Sequence, residues 1–187
     1  MKKKDIIELV KDNLPSTIYL SKFKYIKTED IGYFGRVTSS DFITYRDLCE
    51  RLDFDKGKLM NDNGWLIFWY KGSVLFISQH TVRYDLSWDD INKHNLVFGE
   101  RNVNIYSNNY SVMLPTGGNE DNQGEGSMWN DLMYKVHEEY GIWDKLTDID
   151  LNVDWDKCPA GASSWCQESY DKDMTHRTVR GKYSLTF

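Results

Sequence analysis

Two pairs of apolar runs in the middle of the chain predict two β-hairpins. The runs at residues 65–70 and 73–78 are separated by only two residues, the second a glycine, which is typical of a tight hairpin turn. Both faces of these runs are apolar, so we expect central strands that are covered on each side. Residues 103–106 and 110–114 flank a short polar segment and predict the second hairpin.

Apolar residues spaced three and four apart predict four helices. The first spans residues 6–14 and is ended by a proline. Two more begin at Thr44 and Ser87, each followed three residues later by an aspartate, as in a capping box. The longest runs from Ser127 as its N-cap to Gly141 as its stop. Helices between hairpins predict a mixed α+β fold.

The N-terminal segment differs from the rest of the chain in its pattern of apolar residues. Apolar positions between residues 18 and 37 tend to alternate, which predicts two strands around a turn at residues 27–30. Residues 1–40 are therefore set apart from residues 41–187.

The composition is that of one globular domain rich in aromatic residues. The chain has 187 residues, of which 40% are hydrophobic and 14% aromatic, with a net charge of −6. That length is typical of about one domain, and the aromatic content suits β-rich cores and contact surfaces. A negative chain without a basic stripe argues against nucleic-acid binding. The absence of an apolar run of about 18 residues argues against membrane insertion.

Alternating aspartates in the C-terminal part predict a calcium site. Asp148, Asp150, Asp154 and Asp156 alternate with apolar residues, and oxygen ligands two residues apart are how calcium loops present carboxylates. An edge strand with one charged face explains the same alternation, because charges on an edge discourage pairing with another sheet. Calcium is the one cofactor that the sequence suggests.

The tripeptide Trp129-Asn130-Asp131 is one that calcium-dependent lectins use to hold the ion that binds sugar. Here it lies inside a periodic helix, and the helical spacing predicts that Trp129 faces inward while Asn130 and Asp131 face outward. That placement disfavours an ion site at the tripeptide.

Catalytic signatures are mostly missing from the sequence. The four histidines stand in no HExxH or HxH relation to one another. The segment 124–127 matches neither a phosphate-binding loop nor a nucleophile elbow. We therefore expect a non-enzymatic protein.

Several short phrases, in order, resemble a domain of tailed-bacteriophage structural proteins. The phrases that carry the resemblance are residues 65–77, 82–90, 96–99, 110–118, 126–134, 164–168 and 177–181. Such domains are similar to the C-type-lectin-like fold, which is shared with formylglycine-generating enzymes and with variable receptor-binding tips of phages. The resemblance covers roughly residues 41–183.

The resemblance implies an architecture and a role. It implies a C-type-lectin-like domain at residues 41–187, with central antiparallel hairpins and two or three covering helices, preceded by an attachment segment at residues 1–40 that contacts other virion proteins. It also implies a homo-oligomeric component of a tail fibre or head fibre, made in the host cytoplasm and located in the virion, with a host-receptor or glycan-binding role. Two alternatives stay open: a purely structural adaptor or decoration subunit, and a phage-encoded enzyme or host-factor inhibitor.

We expect ligand contacts in two loops, at residues 115–126 and 157–175, because binding residues favour loops on a rigid scaffold. A glycan would stack on an aromatic face there, with Trp165 and Tyr170 as the candidates. Core packing is the alternative role for Trp165. Polar candidates in the first loop are Asn119, Asp121 and Asn122.

Overall fold

A computed structural model describes residues 3–20, 25–26, 28–118, 125–134, 163–169 and 176–181. The helices are α1 (Lys3–Asp12), α2 (Tyr45–Arg51), α3 (Trp88–Lys93) and a π-helical segment (Trp129–Tyr134). The strands are β1 (Tyr25–Ile26), β2 (Ile31–Val37), β3 (Lys58–Leu59), β4 (Trp65–Tyr70), β5 (Ser73–Ser78), β6 (Arg83–Tyr84), β7 (Phe98–Ile105), β8 (Asn108–Met113), β9 (Ser163–Ser169) and β10 (Arg177–Gly181). Every described strand pair is antiparallel, and the fold is mixed α+β, as predicted.

The central sheet has the strand order β1-β2-β4-β5. The predicted hairpin of β4 and β5 is confirmed, with Tyr70 paired to Ser73 across the turn. All six residues of β4 are buried, so this strand is central, as predicted. The same prediction is wrong for β5, which lies at the edge of the sheet and is half-buried along most of its length. Among the described strands β5 pairs with β4 alone, while its apolar side chains pack against hydrophobic clusters on both faces of the sheet.

Alternate side chains of β4 enter two separate hydrophobic clusters. Because side chains of a strand point to opposite faces in turn, Trp65, Ile67 and Trp69 join a major cluster that includes residues of all three α-helices. Leu66, Phe68 and Tyr70 join a minor cluster with Tyr33, Leu132 and Met133. The sheet is thus covered on both faces.

The N-terminal segment packs into the major cluster. Ile6 and Val10 of α1 are 1% and 0% exposed, and they belong to the same cluster as Trp65. β2 pairs with β4 along its whole length, with a bulge between Tyr33 and Gly35. Parts of residues 1–40 and of residues 41–187 therefore share one core, while the attachment role of residues 1–40 stays a prediction.

The predicted helix caps are confirmed. The hydroxyl of Thr44 accepts a hydrogen bond from the backbone N–H of Asp47, which begins α2. Ser87 and Asp90 form a reciprocal capping box at the start of α3. Local side-chain chemistry thus sets where both helices start.

Cys49, which lies on the inner face of α2, is buried, and burial raises the pKa of its thiol.

The second predicted hairpin is confirmed, with a turn of two residues in place of the three expected at residues 107–109. Ile105 of β7 pairs with Asn108 of β8, so the turn consists of Tyr106 and Ser107. None of the described helices is long and apolar enough to cross a membrane.

Candidate functional site

The loop at residues 114–118 is held in place by β9. The side-chain amide of Gln167 donates to the carbonyl of Leu114 at 2.7 Å, and the backbone N–H of Gln167 donates to the carbonyl of Pro115 at 3.1 Å. The backbone N–H of Gly117 donates to the Glu168 carboxylate at 2.8 Å. Two adjacent residues of β9 thus bind three successive parts of the loop.

The start of the π-helical segment is hydrogen-bonded to the same loop. The backbone N–H of Met128 donates to Thr116 Oγ1 at 2.7 Å, and that of Trp129 donates to the Thr116 carbonyl at 3.0 Å. Ser127 is the N-cap predicted from the sequence, since its hydroxyl accepts from the N–H of Asn130 at 3.2 Å. Residues 135–141 of the predicted helix lie outside the described residues.

β10 closes the cluster from the other side. The Thr178 hydroxyl, in a residue that is 1% exposed, donates to the Gly118 carbonyl at 2.8 Å. A methyl group at Gly117 would lie 2.8 Å from Cβ of Cys166 and 2.9 Å from Cγ2 of Thr178, so the backbone approaches β9 and β10 as closely as glycine allows. We call residues 114–118, 126–129, 166–168 and Thr178 the loop cluster.

A buried tyrosine–aspartate contact lies beneath the loop cluster. The hydroxyl of Tyr70 is 3.3 Å from Asp131 Oδ2 and 3.3 Å from the Gly126 carbonyl, and it can donate to either. Asp131 is 7% exposed, so its predicted outward orientation is wrong. In a π-helix each hydrogen bond spans one residue more than in an α-helix, which shifts side chains away from the faces that α-helical spacing predicts.

An open cleft of about 330 Å³ lies between the loop cluster and the turn of the β4–β5 hairpin. Its lining residues are Tyr70, Lys71, Thr116, Gly118, Glu125, Gly126, Ser127, Met128 and Glu168. The ammonium of Lys71 lies 4.7 Å from the centroid of the Tyr70 ring, and hydrogen bonding to Tyr70 raises the pKa of Lys71. The cleft therefore offers a cation, two carboxylates and several hydroxyls to a polar ligand.

Trp165, predicted as a stacking residue, is half-buried. Its indole N–H donates to the Leu86 carbonyl at 3.2 Å, and its ring packs against the major cluster. It does not line the cleft. The other predicted ligand contacts, Asn119, Asp121, Asn122 and Tyr170, lie outside the described residues.

The predicted calcium ligands Asp148, Asp150, Asp154 and Asp156 also lie outside the described residues. Among the residues that are described, no three His, Cys, Asp or Glu side chains are grouped so as to hold a metal ion. The calcium site stays a prediction.

Several cleft residues fall within the predicted contact loops, although none of them was singled out as a ligand contact: Thr116, Gly118, Glu125 and Gly126 in the loop at residues 115–126, and Glu168 in the loop at residues 157–175. Residues 163–169 of the second predicted loop form β9 instead. Tyr70 and Lys71 were missed, because the sequence predicted them only as part of a strand and its turn. The glycine pair at residues 117–118 was a usable signal, because paired glycines often mark close backbone approach. Comparison of the chain with known protein families, with curated proteins and with solved structures found no match.

Proposed function

We propose that this chain is a non-enzymatic structural protein of a bacteriophage virion, exposed in a tail fibre or head fibre. In this proposal residues 41–187 form a C-type-lectin-like domain that binds a ligand on the host surface through the cleft. Residues 1–40 contact a neighbouring virion protein, and the assembled component is a homo-oligomer.

The observation that carries the proposal is that four separate phrases of the resemblance meet in the loop cluster. Residues 110–118, 126–134, 164–168 and 177–181 are distant in sequence, yet they are joined there by direct hydrogen bonds. These segments occur in the same order as the phrases that resemble phage structural proteins, and they also meet at one place in the fold. Both properties are expected if the segments form one functional unit.

The hydrogen bonding of the loop cluster also supports a binding role. Backbone donors of the loop and of the helix start are satisfied within the protein, so the loop is held in one conformation before any ligand arrives. Preorganisation of this kind lowers the entropic cost of binding. The exposed Lys71 and Glu125 stand at the rim, where charged groups contribute specificity.

One exposed aromatic residue supports attachment through the N-terminal segment. Tyr19 is 91% exposed, although tyrosine is enriched at protein contacts. A partner surface that covers Tyr19 would remove its apolar ring from water.

The first test of the proposal is the location of the chain in an intact particle. Gold-labelled antibodies against the full chain should mark fibres or another exposed part of the virion in electron micrographs. Particles that lack the chain altogether, by labelling and by mass spectrometry, would show that it is not a virion protein.

The second test is binding of the fluorescently labelled full chain to host cells. Lys71→Asn removes the rim cation while placing an Asn-Gly pair in the turn, which favours this turn type, and Glu125→Gln removes the rim carboxylate. Both variants should reduce cell labelling, whereas the matched surface changes Lys93→Asn and Glu100→Gln should not. Labelled particles without any cell binding would favour the adaptor alternative instead.

A further inference from the structure

A second pocket, of about 210 Å³, lies near the opposite end of β4 from the cleft. It is formed where α2 faces the turn of the β7–β8 hairpin, and its lining includes Asp47 and Arg51 of α2 and Tyr106 of the turn. The pocket is anchored to the sheet because Trp65, the first residue of β4, donates its indole N–H to the carbonyl of Ile43, another lining residue, at 2.7 Å.

Tyr106 occupies a backbone conformation that a tyrosine adopts at a cost. Tyr106 and Ser107 have φ of 48° and 70°, so both are left-handed, as in a type I′ turn. Such positions favour Asn, Asp or Gly, and two asparagines follow directly at residues 108 and 109. A bulky residue in this region is an outlier, and strained residues cluster at ligand contacts.

The ring of Tyr106 is also exposed. Its side chain is 49% exposed at the edge of the pocket, although a tyrosine ring gains free energy when it is covered. Tyr106 thus combines a strained backbone with an exposed aromatic ring, and neither feature stabilises the folded chain by itself.

Two charged side chains of α2 face the same pocket. Asp47 and Arg51 are one helical turn apart and therefore lie on one side of the helix. Arg51 Nη1 donates to the carbonyl of Asn104, which holds the turn end of the hairpin against α2. In the part of the chain that the structure describes, no ion pair joins these two side chains, and the Asp47 carboxylate accepts no hydrogen bond.

The chemistry of the pocket selects a class of ligand. An aromatic face takes the C–H face of a sugar ring, while a carboxylate accepts from its hydroxyls and a guanidinium donates to them. The charges of Asp47 and Arg51 cancel, which favours a neutral sugar over an acidic one. Drug-sized ligands occupy roughly 300–1,000 Å³, so this smaller pocket suits a single ring.

We infer that this pocket is a carbohydrate subsite that stacks one neutral pyranose ring on Tyr106 and hydrogen-bonds its hydroxyls to Asp47 and Arg51. The inference rests on the proposed function for its biological use. The pocket shares no residue with the cleft, so an experiment can exclude ligand binding at one of them without excluding it at the other.

The test uses the purified full chain and the methyl glycosides of glucose, galactose and mannose. Saturation-transfer NMR should show contact of at least one glycoside with an aromatic ring, and titration should give its affinity. Tyr106→Asn should weaken that affinity by roughly 2- to 10-fold. Asp47→Asn should weaken it by roughly tenfold.

Two controls separate the pocket from other surfaces and from unfolding. Tyr19→Asn removes an exposed tyrosine elsewhere and should leave binding unchanged. Tyr106→Asn should raise the midpoint of thermal unfolding by roughly 2–4 °C, because it relieves the strained turn. The inference is overturned if no glycoside binds or if Tyr106→Asn binds as well as the natural chain. It is also overturned if Lys71→Asn, a change in the cleft and not in this pocket, abolishes binding. Absence of the chain from virions would overturn the proposed function but not a subsite shown in this way.

Discussion

The guanidinium of Arg177 lies 3.6 Å from the centroid of the Trp88 ring, joining the C-terminal hairpin to α3. The indole N–H of the same tryptophan donates to the Cys166 carbonyl at 3.0 Å. Arg177 also donates to the Ser169 hydroxyl at 2.9 Å. One tryptophan of α3 therefore fixes both strands of the β9–β10 hairpin, on which half of the loop cluster depends.

Replacing Arg177 should loosen this hairpin. Arg177→Met keeps the length of the side chain but removes the cation over the ring, which we expect to lower the free energy of unfolding by about 1–2 kcal/mol. Chemical denaturation followed by tryptophan fluorescence measures the change. Arg46→Met, at an exposed position of α2, is the matched control and should change stability by less than about 0.5 kcal/mol. Equal losses in the two variants would contradict a specific Trp88 contact.

Gly117 should not tolerate even a methyl group. In Gly117→Ala the added Cβ would lie against Cys166 and Thr178, and overpacking of this kind costs about 1–3 kcal/mol. Thermal unfolding checks the loss.

A double-mutant cycle identifies the cause of that loss. Cys166→Ala removes the sulfur that crowds the new methyl group, so the double variant should be more stable than the sum of the single losses implies. Strict additivity of the two changes would rule out crowding by the Cys166 sulfur, which is the atom nearest to the added methyl group. Gly126→Ala is the conformational control, because its φ is 75° and no atom lies within 4 Å of the added methyl group.

Tyr45 should make the protein sensitive to alkali. Its side chain is 0% exposed, its hydroxyl donates to the Gly64 carbonyl at 3.1 Å, and it accepts from the N–H of His80 at 3.2 Å. Burial raises its pKa well above the ordinary value. The unfolded chain therefore loses this proton at lower pH than the folded chain, and the stability it contributes is complete below about pH 10 and is lost as pH rises further.

Tyr45→Phe tests this pH dependence. At neutral pH the variant should lose about 1–3 kcal/mol, because two backbone groups lose a partner. Between pH 8 and pH 11, as read from urea unfolding, its stability should fall less than that of the natural chain. Tyr19→Phe, at an exposed position, should behave like the natural chain throughout. A parallel decline in all three proteins would disprove the role of Tyr45.

Asp90 should contribute to stability above the acid range. Hydrogen bonds from the side chain and backbone of Ser87 lower the pKa of this partly exposed carboxylate. A lowered pKa means that the contribution is present above the unfolded value of about 3.9 and is lost as pH falls through the folded value. Asp90→Asn should flatten the stability profile below about pH 4, as measured by thermal unfolding. Ser87→Ala, which removes the hydroxyl that donates to the Asp90 carboxylate, should flatten the same part of the profile, and an unchanged profile in both variants would contradict the role of Asp90.

The elements that could be predicted from the sequence are those fixed by local chemistry. The turn at Lys71 and Gly72 and the caps at Thr44 and Ser87 depend on residues a few positions apart, so their signals are readable along the chain. The position of β5 at a sheet edge could not be predicted from local sequence. It depends on which distant segment pairs with the other side of β4, and in the fold that segment is β2.

Only part of the candidate site could be predicted, because local sequence reveals a loop but not the distant residues that pack against it. Residues 115–118 were expected in a surface contact loop because their composition is typical of one, and they do border the cleft. Glu168 and Tyr70 reach that cleft only through long-range packing. Asp131 was misplaced because the spacing of apolar residues does not distinguish a π-helix from an α-helix.

The hydrogen bond from Trp88 to Cys166 spans 78 residues of sequence. Closing so long a stretch of chain carries an entropic cost that contacts between neighbours do not. The strands of the central sheet end at Ser78, so they are synthesised before Cys166 and Glu168, and the cleft cannot be complete until the chain has grown well beyond the sheet. A ligand that binds this cleft holds together segments from both ends of that growth, and it stabilises the fold as a whole.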